Sequence, residues 1–259
     1  MFNALRNWRR ARTLQRQPID DDAWNAVVRS LPLLRGLQPD ESAHLRELAT
    51  LFLAEKRFFG AHGFEVTDRM RLSIAAQACL PILGLGIDWY RGWSSIIVYP
   101  DDFLPRHEDV DEAGVVHEDD RIYSGESWEL GPVVLSWAEI EAQTGSDEAN
   151  LVIHELSHKL DLLNGQANGE PPLHRDMDPA AWAADLQAAY DDLCERTDHG
   201  EETVVDPYAS TDPAEFFAVT SEYFFVAPDL LADSYPAVYR QLARFYRQDP
   251  RRRLPATIL

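Results

Sequence analysis

Apolar residues recur at three- and four-residue spacing over most of the chain, and run together as strands only in its middle. The acids Asp20, Asp21 and Asp22 precede Trp24, Val27, Val28 and Leu31, which predicts a helix. Pro32 and Gly36 interrupt it. Pro39-Asp40-Glu41 opens a second helix with Leu45, Leu48, Leu51 and Phe52 inward, so that 20–60 reads as helical. Gly60 to Gly63 read as a connector, and a third helix is predicted from Thr67 to about Leu80. The β-branched and aromatic run 94–99, ended by Pro100, predicts a strand. Residues 121–124 and 132–137 are two further strand candidates, after an acidic, loop-like stretch over 103–120. Helical spacing returns over 149–163, closed by Asn164-Gly165, then over 179–196, 212–226 and 238–247. Helices, a few strands, then helices predict an α+β fold.

At 259 residues the chain is long enough for one large core or two small ones. A net charge of −20 argues against direct nucleic-acid binding, which needs a cationic footprint, and against attraction to anionic membranes. Solubility is its plainest meaning. Cys79 and Cys194 are far apart and form no Cys-x-x-Cys unit, so neither a thiolate zinc site nor a disulfide scaffold is indicated, and the pattern fits a reducing cytoplasm. No apolar run is long enough to span a bilayer. Residues 1–16 carry Arg6, Arg9, Arg10, Arg12 and Arg16 and no acid, without the pattern of a signal peptide. Phe2, Leu5 and Trp8 form a weak apolar stripe there, suited to a membrane or acidic partner. A solvated or frayed terminal helix is the plainer reading.

One motif carries chemistry. His154-Glu155-Leu156-Ser157-His158 places two imidazoles four residues apart, one helical turn, where both reach a single ion. Zinc takes nitrogen ligands and keeps a position open in catalytic sites. Glu155, beside the first ligand, is placed to act as general base. The third ligand must come from elsewhere. Asp161 and Asn164 stand where a metzincin needs Gly and His, which excludes that class. The helix starting at Asp212 offers Glu215 and Glu222, seven apart and nearly on one face, and sequence alone leaves both open. Glu215 also fits a variant capping box with Asp212 and Pro213. Asp161, three after His158, is a possible partner for an imidazole's other nitrogen or a solvated helix acid. His107, His117 and His174 are further conceivable ligands, the first two within the acidic loop.

Several stretches together carry a wider resemblance. They are 61–65, 79–83, 97–100, Ser124-Gly125-Glu126-Ser127-Trp128, 131–137, His154 to Asp161, and 206–225 with its Asp-Pro-Ala-Glu block ending at Glu215. In these the chain resembles the Mlc titration factor A family, bacterial zinc metallopeptidases of the gluzincin type. The resemblance implies a zincin-like α+β fold, mostly helical, with a small mixed sheet beside the active-site helix. The chain divides on this view into an N-terminal helical segment, 1–64, and a catalytic domain, 65–259. One zinc per chain would be held by His154, His158 and Glu215, with Glu155 as base. Tyr208 looks like the phenol donor to the oxyanion, against the plainer reading of a packed loop tyrosine. Gly125, Glu126 and Ser127 resemble the edge strand that pairs with an extended peptide substrate. Val219 stands where thermolysin-like relatives often carry Asp, so their outer arrangement does not carry over. The resemblance implies a peptidase with aminopeptidase tendency. It also implies association with an Mlc-like repressor, which is the rival function with peptidase activity minor or latent. A closed, purely structural zinc site would need a fourth protein ligand, and none is evident.

Overall fold

In the computed structural model residues 2–101, 131–144 and 149–254 are described. Ten helices surround a small sheet among these residues. The first four helices are α1 (Phe2–Arg16), α2 (Asp21–Ser30), α3 (Pro39–Glu55) and α4 (Asp68–Cys79). Their starts follow local chemistry. The Asp20 carboxylate accepts the Ala23 N–H at 3.0 Å, and the Glu41 side chain accepts the Gln38 N–H at 2.8 Å. Thr67 caps α4 through the Met70 N–H.

The sheet has three strands, β1 (Arg57–Gly60), β2 (Ser95–Tyr99) and β3 (Val133–Ser136), in the order β1-β2-β3. Both pairings are parallel, so the mixed character expected of the sheet is not found among the described strands. The register sets Ile96 opposite Val133 and Val98 opposite Leu135, and these four side chains are buried on one face. β1 corrects the expectation of helix up to residue 60. The helix stops at Glu55, and the Lys56 ammonium donates to the carbonyls of Tyr90 and Trp93 at 2.5 and 2.7 Å. The chain that follows is pulled into register with β2, so tertiary pairing overrides the local pattern.

The remaining helices are α5 (Trp137–Gln143), α6 (Leu151–Asp161), α7 (Pro179–Asp198), α8 (Pro213–Val226), α9 (Pro228–Ser234) and α10 (Pro236–Tyr246). The apolar pattern predicts no helix at α5 or α9. α6 packs along α8 and also touches α4, α5 and β3. α8 is apolar on nearly every side, and Phe216, Phe217, Phe224 and Phe225 are all buried. A helix without a polar face belongs inside. Each such phenylalanine contributes about 1.5–3 kcal/mol of burial. α6 and α8 thus form the rigid centre on which the polar residues of both helices are mounted. No described helix is long and apolar enough to cross a membrane.

Candidate metal centre

α6 begins at Asn150, whose side-chain oxygen accepts the Ile153 N–H at 2.9 Å. It gives way to a 3-10 turn over Leu162–Asn164 and ends on Gly165, whose φ of +102° needs a residue without Cβ. Val152, Ile153, Leu156 and Leu160 are buried, while His154, Glu155 and His158 are half-buried along one edge. The helical period therefore sorts the motif residues from the core residues.

α8 brings the third group. Asp212 Oδ1 accepts the N–H groups of Ala214 and Glu215 at 2.8 and 3.0 Å, and Pro213 occupies the first helical position. The cap is made by Asp212 alone. The Glu215 side chain instead lies at His154 and His158, with Oε2 3.1 Å from His154 Nε2 and Oε1 3.5 Å from His158 Nε2. The two Nε2 atoms are 3.2 Å apart. Three ligands about 2.0–2.1 Å from one tetrahedral ion would stand about 3.3 Å from each other. The edge between the histidines matches, and Glu215 approaches each imidazole at a comparable distance through a different oxygen. Glu215 Oε2 is also buried without a hydrogen-bond partner, which an ion at the centre of the trio would resolve. Among the described residues, His154, His158 and Glu215 are the one group of three so placed.

Charge supports the same fit. Burial disfavours an imidazolium at His154, but Glu215, Glu222 and Glu155 outweigh it and raise the pKa well above the usual histidine range. Burial would raise the Glu215 carboxyl, but the two imidazoles outweigh that and hold it well below the usual carboxylate range. Glu155 is raised by burial, against the pull of His154 and His158. Three carboxylates around two imidazoles make a pocket that attracts positive charge, as a cation site requires.

Tyr208 lies on the 3-10 turn Pro207–Ser210, which Asp206 caps by accepting the Tyr208 N–H at 2.9 Å. Its ring is 6.2 Å from that of His154, centroid to centroid, and 54% of the residue is exposed. Partial burial, with Glu215, Glu155 and Asp212 nearby, pushes the phenol up to about 12, so it keeps its proton at neutral pH. The packed loop tyrosine of the plainer reading is thus an open one beside the histidines.

Asp161 does not orient an imidazole. It ends α6 turned into the protein, where Oδ2 accepts the Gly169 N–H at 2.7 Å and Oδ1 has no partner. The carboxylate that does meet an imidazole is Glu222, whose Oε1 is 2.8 Å from His154 Nδ1. By sequence Glu222 is only a rival ligand to Glu215. The signal was present: it is the one charged residue in the run 216–226, and a buried charge needs a partner. His174 is spent elsewhere, with Nε2 2.8 Å from the Phe245 carbonyl. Gly125, Glu126 and Ser127, with His107 and His117, lie outside the described residues.

Comparison with known proteins bears out the resemblance. "Mlc titration factor A" of Escherichia fergusonii is 42% identical over 233 residues, covering 89% of this chain and 88% of its own. The protein of that name from Salmonella schwarzengrund is 42% identical over 237 residues, covering 91% and 89%. That from Klebsiella pneumoniae is 40% identical over 242 residues, covering 91% of each. The family described as glucose-regulated metallo-peptidase M90 matches residues 5–247. The chain belongs to the glucose-regulated metallo-peptidase M90 family.

Proposed function

We propose that the protein is a zinc-dependent peptidase, with His154, His158 and Glu215 as ligands, Glu155 as general base and Tyr208 as hydrogen-bond donor. The observation that carries this is the convergence of the three side chains, whose ligand atoms all lie within 4.8 Å of one another, with Glu215 Oε2 buried and unpartnered. A zinc ion bound there would polarise a peptide carbonyl and acidify a water. Glu155 takes the proton of the attacking water on its carboxylate and passes it to the departing amine. Its burial favours the protonated form, which suits a group that must return what it takes. Tyr208, a protonated phenol on an open turn, donates to the carbonyl oxygen as negative charge develops there. His154 and His158 stay neutral as ligands, and the buried apolar side of α6 fixes their direction. Small peptides with a free amino terminus are the proposed substrates. Two free cysteines fit a reducing, cytoplasmic setting.

The test is zinc content and hydrolysis of aminoacyl and peptide anilides by wild type and Glu155→Gln. One zinc per chain in both, with turnover in wild type alone, is the expected result. Turnover retained by the variant would remove Glu155 as base.

A second reading rests on the relatives, which are named for titrating Mlc. In it the chain binds an Mlc-like repressor, and hydrolysis is minor. Repressor binding undiminished after zinc is removed, with no anilide turned over, would favour it.

A further inference from the structure

Glu222 sits behind the three proposed ligands, 6% exposed within the apolar body of α8. Two groups converge on its carboxylate. Oε1 faces His154 Nδ1 at 2.8 Å, and Oε2 accepts the backbone N–H of Asn150 at 2.5 Å. Asn150 is itself fixed. Its side-chain oxygen caps α6, and its amide donates to the buried Gln77 of α4 at 2.7 Å. The carboxylate therefore ties three helices together at the point where the first histidine leaves α6.

We propose that Glu222 is a positioning residue for the metal centre, setting the ring angle and the tautomer of His154. This rests on the proposed zinc site. An imidazole that donates Nδ1–H to a carboxylate presents Nε2 as a lone pair, and here Nε2 is the atom that faces His158 and Glu215. A carboxylate is needed because both neighbours are donors: the Asn150 N–H and the Nδ1–H each require an acceptor. A glutamine offers one acceptor and one NH2. If its oxygen takes the Asn150 N–H, its NH2 faces Nδ1 and drives the proton to Nε2, the wrong tautomer for a ligand. If its oxygen takes Nδ1–H, the NH2 meets the Asn150 N–H and the start of α6 is pushed away. Asp161 does not substitute, since its Oδ2 accepts the Gly169 N–H and its Oδ1 bonds no imidazole. Neither can residue 219, which is valine.

The test is zinc affinity by chelator competition for wild type, Glu222→Gln, His154→Ala and the double variant, with a thermal melt of each zinc-free chain. In Glu222→Gln the zinc dissociation constant is expected to rise about 10–100-fold. In the His154→Ala background the same change is expected to do nearly nothing, because there is no ring left to orient. An equal loss in both backgrounds would make Glu222 merely structural and overturn the proposal, as would an unchanged affinity in the single variant. If Glu222→Gln fails to melt cooperatively, Glu222→Asp is read in its place, since one missing methylene breaks the same contact. Wild type and His154→Ala binding zinc equally would sink the metal site itself, a result distinct from failure at Glu222 alone.

Discussion

At the scale of single residues, four acids near the histidines hold four different positions. Glu215 faces both imidazoles, Glu222 lies behind one, Glu155 stands beside them, and Asp161 has turned to a loop. Asp161 is buried with one oxygen unpartnered, and burial pushes its carboxyl up to about 6 from 3.8, against the Gly169 N–H. A raised acid means that the folded chain holds more protons than the unfolded one between those values. Stability is then greatest below about pH 4 and is lost as pH rises through 6. Asp161→Asn keeps an oxygen for Gly169 and removes the buried charge. Zinc-free, it should be more stable than wild type at pH 7 by about 1–3 kcal/mol, with the gain falling to about a third of that near pH 4.5 and vanishing only below the unfolded value of 3.8. Urea melts at the two pH values decide this, and a gain of equal size at both would refute the titration. Tyr208 makes a different prediction, because it touches no core. Tyr208→Phe should hold zinc and melt as wild type does while kcat falls about 10–100-fold, a modest oxyanion effect for a half-exposed donor. An unchanged kcat would return Tyr208 to the loop.

Among the elements, the helices that carry the site were legible because their signals are local. α6 has a 3.6-residue apolar stripe and a glycine at its exit, and α8 has an Asp-Pro start. What each acid on α8 does was not legible. Glu215 and Glu222 share a helix face by spacing, but which reaches the ring edge and which the ring's far nitrogen depends on how α6 crosses α8. β1 was hidden for a similar reason. Arg57–Gly60 alternates between exposed and half-buried positions, and only pairing with β2 makes it a strand. The cap of α8 joins element to site, since Glu215 lies in the first turn that Asp212 holds. Asp212→Ala should cost about 1 kcal/mol of stability by the loss of the cap. Fraying of that turn should also weaken zinc binding several-fold, with both effects recovered in Asp212→Ser. Lost stability at unchanged zinc affinity would show that Glu215 holds its place without the cap.

Across the whole molecule, the first 64 residues and the remainder share one hydrophobic cluster. Phe52 of α3 meets Tyr90 and Trp93 edge to face at 6.0 and 6.1 Å, and the Lys56 ammonium lies 3.6 Å over the Trp93 ring. Arg6 and Arg10 of α1 pair with Asp88, so part of the basic terminus is answered within the chain. A chain beginning at residue 65 would lose β1 from the edge of β2 and uncover the aromatic residues that Phe52 covers. The strand edge and the apolar patch together favour association between copies. We therefore expect 65–259 alone to be insoluble, or to melt without cooperativity, and to regain a cooperative melt when 1–64 is co-expressed. A soluble 65–259 with wild-type zinc affinity would instead make residues 65–259 autonomous. β2 and the site-bearing helices would then hold their places without β1, and the contacts of Phe52 and Lys56 would serve only to dock the N-terminal segment.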